Sequence, residues 1–355
     1  MGAGFAGLAA AAWLRVLAPE KSVVVLEAGR IGNGASGRTG GLVLSESAAG
    51  DLPGLGDVLA GLKKILRKLR VESDLLLPGV WEIAHSEHAK RSDNARALKG
   101  RSPIQWRDFD SRGIRVTGTV PGGTLDPGKQ VSGLARAAVS LGAMIAENCG
   151  VREIEWTDPP TLHFAGGSLS AKKILLTTNA LSLDISGLSK SAIQPKLTLA
   201  ARTAPMSEKD LRKIGLGARK PFYTIDFPYL WGRVCADRSI VWGAGLVDAP
   251  RSGKLEEVDI SKSRAAEMFA SFEKRVRAFH GGLSEARFTH KWGGPIAFRE
   301  NFRPVFAHYP DSPNGVVLGI FAGHGVALSV YLGTWAAEVM LGRRKLPSWG
   351  RIDSK

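Results

Sequence analysis

Cysteine is almost missing: Cys149 and Cys235 are the two present in 355 residues. That is too few for a disulfide framework or a thiolate metal cluster, so the expected compartment is the reducing cytoplasm and no metal is expected. No apolar stretch reaches the ~18–20 residues that a membrane-spanning helix needs. Acidic charge is scarce too, with 33 Asp and Glu against 48 Lys and Arg and a formal net charge of +15. Such a surplus could serve nucleic acid, an anionic surface or an acidic small molecule, and basicity alone chooses none of them. Its densest run, Lys63, Lys64, Arg67, Lys68 and Arg70, interleaves with Leu62, Ile65, Leu66 and Leu69 at helical spacing. That is the pattern of a solvated helix face. No nucleic-acid-binding pattern accompanies it, and no nucleic-acid partner is expected. What remains is ordinary globular composition, 44% hydrophobic and 23% charged, in a chain long enough for two lobes with a cleft between them.

The chain opens on glycines spaced for a ligand. Gly2, Gly4 and Gly7 form G-x-G-x-x-G, with Phe5 and Ala6 between the last two, and run directly into Leu8-Ala9-Ala10-Ala11-Ala12-Trp13-Leu14. In that pattern the first glycine allows a tight turn, the second lets a pyrophosphate approach the backbone, and the third lets the helix lie close to a sheet. The helix start then offers free N–H groups and a partial positive charge to phosphate. Twenty residues beyond Gly7, Val23-Val24-Val25-Leu26 reads as a buried parallel strand ending at Glu27, with Ala28 beside it. An acid there can accept from adenosine ribose hydroxyls. One element is lacking, because Met1 alone stands before Gly2. The strand that should precede the turn lies centrally in doubly wound sheets, so its loss would expose both neighbours. The expectation is a start codon placed too late; the alternative is a compromised product.

After Glu27 comes a second glycine-rich stretch, Ala28-Gly29-Arg30-Ile31-Gly32-Asn33-Gly34-Ala35-Ser36-Gly37-Arg38-Thr39-Gly40-Gly41. It resembles the G-A-S-G-R-N-G-G segment of FAD-dependent amine oxidases in the D-amino-acid oxidase superfamily, the branch of gamma-glutamylputrescine oxidoreductase and the glycine and sarcosine oxidases, with Thr39 where Asn is usual. The resemblance implies that Ser36 and Arg38 lie beside the phosphates and that Thr39, Gly40, Gly41 and Leu42 neighbour the flavin ring. Later segments follow in the same order. Gly122 to Pro127, then Leu134 to Ala138, resemble the return into the FAD domain, and Val151 matches the position whose backbone meets adenine. Lys173 to Ala180, including Asn179, resembles the strand and turn that close the crevice. Trp292-Gly293-Gly294-Pro295-Ile296 and Gly319 to Leu328, with Gly323, His324, Gly325 and Val326, resemble the two segments flanking the flavin, the second leading into a helix from Ser329 to Leu341.

The resemblance implies an α/β fold: a doubly wound, glutathione-reductase-like FAD domain with an inserted α+β substrate lobe on a mostly antiparallel sheet. The expected FAD domain is 1–50, 122–195 and 291–345, the expected substrate lobe 51–121 and 196–290, and 346–355 a short surface tail. It also implies oxidation of the C–N bond of a small amine or amino acid by hydride transfer to flavin N5, giving an imine that hydrolyses, with no obligatory side-chain acid or base. Weak catalytic candidates are His324, Arg233 and Tyr229. Arg233 matches a recurrent arginine that could grip a carboxylate or form a surface salt bridge. Tyr223, Phe227, Tyr229 and Trp231 could wall a pocket or belong to the core. Family members that tether flavin do so through a cysteine near the place of Gly294; neither cysteine is close, so noncovalent FAD is expected. The lysine that activates oxygen would fall near Leu246 to Asp248, where there is none, although Lys291 and Lys254 are near in sequence. Oxidase and dehydrogenase, O2 and another acceptor, and the oligomeric state all stay open. A flavin monooxygenase or nicotinamide-linked enzyme, and a truncated relative that keeps only the fold, are the alternatives.

Overall fold

A computed structural model describes residues 1–85, 90–181, 193–226, 229–248, 259–261, 264–310 and 312–351. Phe227 and Lys254 lie outside them. Short apolar runs bounded by glycine and polar turns form two half-sheets that meet at the first residues of the chain. Val24–Leu26 pairs in parallel with Met144–Ala146, and Ile174–Leu176 in parallel with Ser312–Gly319, which takes Val305–Tyr309 antiparallel on its other edge. The amino group of Met1 donates to Leu175 O at 2.7 Å, Thr177 N–H to Met1 O at 3.0 Å, and Gly2 N–H to Leu26 O at 2.8 Å. Met1 and Gly2 therefore stand between the halves, where the sequence pattern called for a central strand. This arrangement puts the glycine turn at the carboxyl ends of the strands Val24–Leu26 and Ile174–Leu176, the usual place for a ligand in α/β folds.

The helix after the turn, Phe5–Leu17, is rich in alanine and buries Ala9, Ala10, Ala11 and Ala12. Small side chains let neighbours come close: a Cβ on Gly333 of the helix Gly325–Met340 would lie 2.5 Å from Ala6 O. The other side of Phe5–Leu17 packs on Pro127–Ser140, whose N-cap Asp126 accepts from Lys129 N–H. The basic run behaves as its spacing predicts. Val58–Lys68 is a helix that buries Leu62, Ile65 and Leu66 and exposes Lys63, Lys64, Arg67 and Lys68.

The largest sheet among the described residues has nine strands ordered, in sequence positions, 288–298, 194–203, 240–248, 230–234, 222–224, 80–84, 113–120 and 96–97, with 105–107 also on 113–120. It is antiparallel apart from the pairing of Phe222–Thr224 with Val80–Ala84. Behind it Trp106, Phe222, Trp242 and Phe279 make the core: Trp106 stacks on Phe279 with centroids 5.5 Å apart and meets Phe222 edge-on at 5.2 Å. Two features differ from expectation. The helix expected to start at Ser329 begins at Gly325, since Val326, Ala327 and Leu328 are apolar and bury as its first turn. The tail expected at the surface is anchored by Trp349, 6% exposed, which packs against Trp335 and donates to Pro53 O.

Trp106 Nε1 donates to Ile214 O at 2.9 Å, whereas Trp242 Nε1 is buried without a partner among the described residues. Trp106→Phe orphans a buried carbonyl and Trp242→Phe orphans nothing. The first should therefore cost about 1–3 kcal/mol more than the second. Urea unfolding of the two variants reads the difference; equal losses would contradict it.

Candidate functional site

The glycine turn is held by contacts that leave no room for side chains. Gly2 adopts φ +94, and a Cβ on Gly7 would lie 2.0 Å from Gly2 O and 2.7 Å from Thr177 Oγ1. Glu27, at the end of its strand, uses one carboxylate oxygen on Ala3 N–H at 2.8 Å and the other on Gly29 N–H at 2.9 Å. It thereby fixes the turn to the start of the second glycine stretch. The second stretch folds back onto the first: Ser36 Oγ accepts from Phe5 N–H at 2.9 Å, and a Cβ on Gly4 would lie 2.8 Å from that oxygen. Gly4, the N-cap of helix Phe5–Leu17, has no side chain to cap it, so beyond the Phe5 N–H taken by Ser36 its first turn keeps N–H groups for an anion.

The remaining segments close around this centre. Asn148 N–H and Cys149 N–H donate to Gly29 O and Glu27 O, and Gly150 lies against Ala28. Val151 thus begins its strand beside the Glu27 end of the crevice. Arg38 donates from Nε to Asn33 O and from Nη1 to Gly293 O at 3.4 Å, while Trp292 Nε1 donates back to Arg38 O at 2.8 Å. These bonds fasten the second glycine stretch to the strand Phe288–Phe298, which carries Gly294.

At the far end the chain leaves Ser312–Gly319 by a strained turn. Ile320, Ala322 and Gly323 have φ of 57, 49 and 88, and a left-handed β-branched residue is uncommon and costs energy. Asn179, itself at φ 52, restrains the turn by accepting from Ile320 N–H at 2.8 Å. The turn feeds helix Gly325–Met340, which also lacks a side-chain cap. Two uncapped helix starts therefore face one cleft.

That cleft holds about 1100 Å³ of free space, part of it open to solvent. Its floor includes Gly4, Phe5, Ala6, Ser36, Arg38, Thr39 and Gly40. Asn179, Gly294, Gly323, Gly325 and Val326 close the sides, and Thr198, Ala200, Tyr229 and Trp231 of the large sheet form the roof. Glu27 and Val151 do not line the cleft. Trp231 is wedged tightly: a Cβ on Gly40 would lie 2.0 Å from its ring, and one on Gly243 would lie 1.9 Å from it.

Of the weak catalytic candidates, Tyr229 lines the cleft, and burial raises its hydroxyl above the usual phenol range. His324 does not line it. Its ring turns toward Ala322 O at 3.4 Å, and burial holds it below the ordinary imidazole value, hence neutral at pH 7. Arg233 is off the cleft wall but two residues along the strand from Trp231, with Nε buried and unpartnered; among the described residues it forms no ion pair. Tyr223 bonds Glu82 one strand further out. Lys291 is engaged by Glu273. Sequence reading missed Thr198, whose Oγ1 is buried without a partner at the cleft roof; a lone threonine in a strand gives no signal.

The described residues fit a flavin dinucleotide: glycines where a Cβ would collide, two helix starts for anionic groups, and an orphaned hydroxyl facing the space. A family model described as "FAD dependent oxidoreductase" matches residues 1–339. The chain belongs to that family. It is 25% identical to a probable oxidoreductase OrdL of Rhizobium meliloti, over 97% of this chain and 82% of that protein. It is also 25% identical to gamma-glutamylputrescine oxidoreductase of Escherichia coli, over 96% and 83%. Glycine oxidase from Bacillus cereus shares its fold with a TM-score of 0.74 at 16% identity, covering 97% of each chain. L-proline dehydrogenase from P. horikoshii superposes with a TM-score of 0.71 at 16% identity, over 98% of this chain and 93% of that one. FAD is thus this oxidoreductase's cofactor. No described helix is long and apolar enough to cross a membrane.

Asn179→Ala removes the acceptor that holds Ile320 in its left-handed conformation. It should cost about 1–3 kcal/mol and weaken FAD retention. Melting temperature and flavin-to-protein absorbance ratio read both; a variant with wild-type values would refute the role given to Asn179.

Proposed function

We propose that this FAD-dependent oxidoreductase oxidises the C–N bond of a small amine or amino acid, and that it holds FAD noncovalently. The observation that carries the reading is the cleft between two helix starts whose N-caps make no side-chain bond, roofed by Tyr229 and Trp231 of the large sheet. The names of the relatives, gamma-glutamylputrescine oxidoreductase and glycine oxidase, agree with such a substrate class. Bound flavin supplies a two-electron acceptor; the amine becomes an imine, which takes up water and releases its nitrogen.

The residues supporting noncovalent binding are those not found near Gly294: Cys149 sits beside Glu27 and Cys235 follows the strand Leu230–Val234. Gly4, Phe5 and Ala6 take the pyrophosphate with the start of the first helix, near Ser36 and Arg38, and Glu27 meets the ribose. Gly323, Gly325 and Val326 direct the second helix start at the flavin edge, where a fixed positive field favours electron uptake. Trp231 and Tyr229 exclude water from the reacting carbon. Arg233, with a buried and unpartnered Nε, no ion pair among the described residues and a place on the same sheet face as Trp231, is suited to a substrate carboxylate.

Titratable side chains lining the cleft are Arg38 and Tyr229, and neither is a base near neutrality. The substrate must arrive with its amine unprotonated, so kcat/KM should rise with pH and level off at the substrate amine's own pKa. A series of amines of different basicity checks this; a common inflection independent of the substrate would reveal an enzyme base instead.

Anaerobic mixing of the purified yellow protein with amines, N-methyl amino acids and small D- and L-amino acids tests the reaction directly, by bleaching of the flavin band. No bleaching by any of them would overturn the reading. Gly4→Glu, which adds bulk and charge against Ser36, should purify colourless; a fully yellow variant would place the pyrophosphate elsewhere. Oxygen uptake against dye reduction then identifies the acceptor.

A further inference from the structure

Past the cleft wall formed by Leu42 and Leu44 lies a group of oxygen acceptors that take no part in holding the cofactor. Glu46, two residues beyond Leu44, is 6% exposed and has no hydrogen-bond or ion-pair partner among the described residues. Glu82 is fully buried. Its Oε1 accepts from Tyr223 O–H at 2.8 Å, from Ser92 N–H at 3.1 Å and from the Ser92 hydroxyl, but its Oε2 is buried with no partner. Asn94, held through its amide nitrogen by Ser45 Oγ, leaves Oδ1 buried and unpartnered as well. Arg91 passes near Glu82, over Gly118, without an ion pair to it.

Sheet register connects this group to the cleft. Glu82 is the cross-strand partner of Tyr223, Tyr223 of Trp231, Trp231 of Gly243, and Gly243 of Ala200. One transverse row thus runs from the roof at Ala200 and Trp231 out to Glu82, two strand spacings of about 4.8 Å beyond Trp231. Tyr223 and Leu42 pack both with the roof cluster around Trp231 and with the apolar cluster of Leu44, Val80 and Val120.

Buried acceptors without donors are costly, and a buried carboxylate without a counter-charge more so. The carboxyl of Glu46 is pushed up to about 7, first by burial and then by Asp51, Glu82 and Asp93. Among the described residues Glu82 Oε2 and Asn94 Oδ1 have no donor, and the neighbouring Arg91 makes no ion pair with Glu46 or Glu82. Among the described residues no three acids, histidines or cysteines are set to hold a metal ion. An alkylammonium, with three N–H donors and one charge, fits these acceptors.

We propose that Glu46, Glu82 and Asn94 form a subsite for a second ammonium group of the substrate, remote from the nitrogen that is oxidised, so that the preferred substrate is an amine carrying a further positive charge. This rests on the amine-oxidation reading. A carboxylate next to the reacting carbon would go to Arg233, along the strand from Trp231, and not to the acidic end of the row.

The test compares 1,5-diaminopentane with n-pentylamine, equal in length and different at one end, by calorimetry on the flavin-loaded protein. The diamine should bind about 10- to 100-fold tighter. It should also release more protons near pH 7 than the monoamine, because a cation beside Glu46 lowers its raised pKa. That proton count, read from two buffers of different ionisation heat, faces Asp51, Glu82, Asp93 and Tyr223 as the other groups able to titrate there. Glu46→Gln should bring the affinity ratio down to about two and remove the extra proton release.

Equal affinity of the two amines for the wild-type protein would overturn the subsite, whatever any variant does. So would a ratio that survives in a folded Glu46→Gln protein. Tighter diamine binding with no bleaching of the flavin by either amine would uphold the subsite and sink amine oxidation. Bleaching by both with a ratio of one would do the reverse.

Discussion

Backbone pressed on backbone at the start of the first helix is the constraint on which the rest of the structure depends. With a gap of 2.0 Å between a Gly7 Cβ and Gly2 O, no other residue can stand there, and the helix start is locked against the end of the strand Ile174–Leu176 through Thr177. Glu27 completes the lock by spending both carboxylate oxygens on backbone N–H groups of the two glycine stretches. Everything a dinucleotide needs follows from this contact: a helix start without a cap, a floor without side chains, and a second stretch folded over the first. An ionised carboxylate accepting backbone bonds is a strong tether.

Opposite that floor, the large sheet works as a roof whose chemistry changes along one row. Glycine and alanine at 243 and 200 make space for the Trp231 ring, apolar surface covers the centre, and Tyr223 leads to the acids at Glu82 and Glu46. Because cross-strand partners stand about 5 Å apart, each step along the row sets the polarity met at a fixed distance from the flavin side. In the proposed subsite, substrate selection would be a property of sheet register. At the cleft itself His324 turns to its own backbone and is held below the ordinary imidazole value by burial, and burial raises the Tyr229 hydroxyl.

Much of this was legible in order along the chain. Glycine spacing announces a dinucleotide because close approach leaves only glycine as a solution, and the acid at 27 agrees with it; the second glycine stretch specifies flavin through its resemblance to a known family. The basic helix Val58–Lys68 was readable for a different reason, its apolar period of 3.6. Other features left no trace. Burial of Trp349 depends on which helix it meets, and the earlier start of helix Gly325–Met340 on a turn whose left-handed Ile320 no propensity suggests.

By itself, then, the sequence determined that a dinucleotide belongs at the first glycines, which follows from sterics and spacing, and its resemblance to a known family named that dinucleotide as FAD. Tertiary structure alone decided which polar groups share a neighbourhood. Glu46, Glu82, Asn94 and Tyr223 come from four separated stretches, and only strand pairing sets them beside one another. Unpaired acceptors are a property of that assembly, because whether an oxygen has a donor depends on what folding brings within 3.5 Å of it, and no pattern along the chain encodes it.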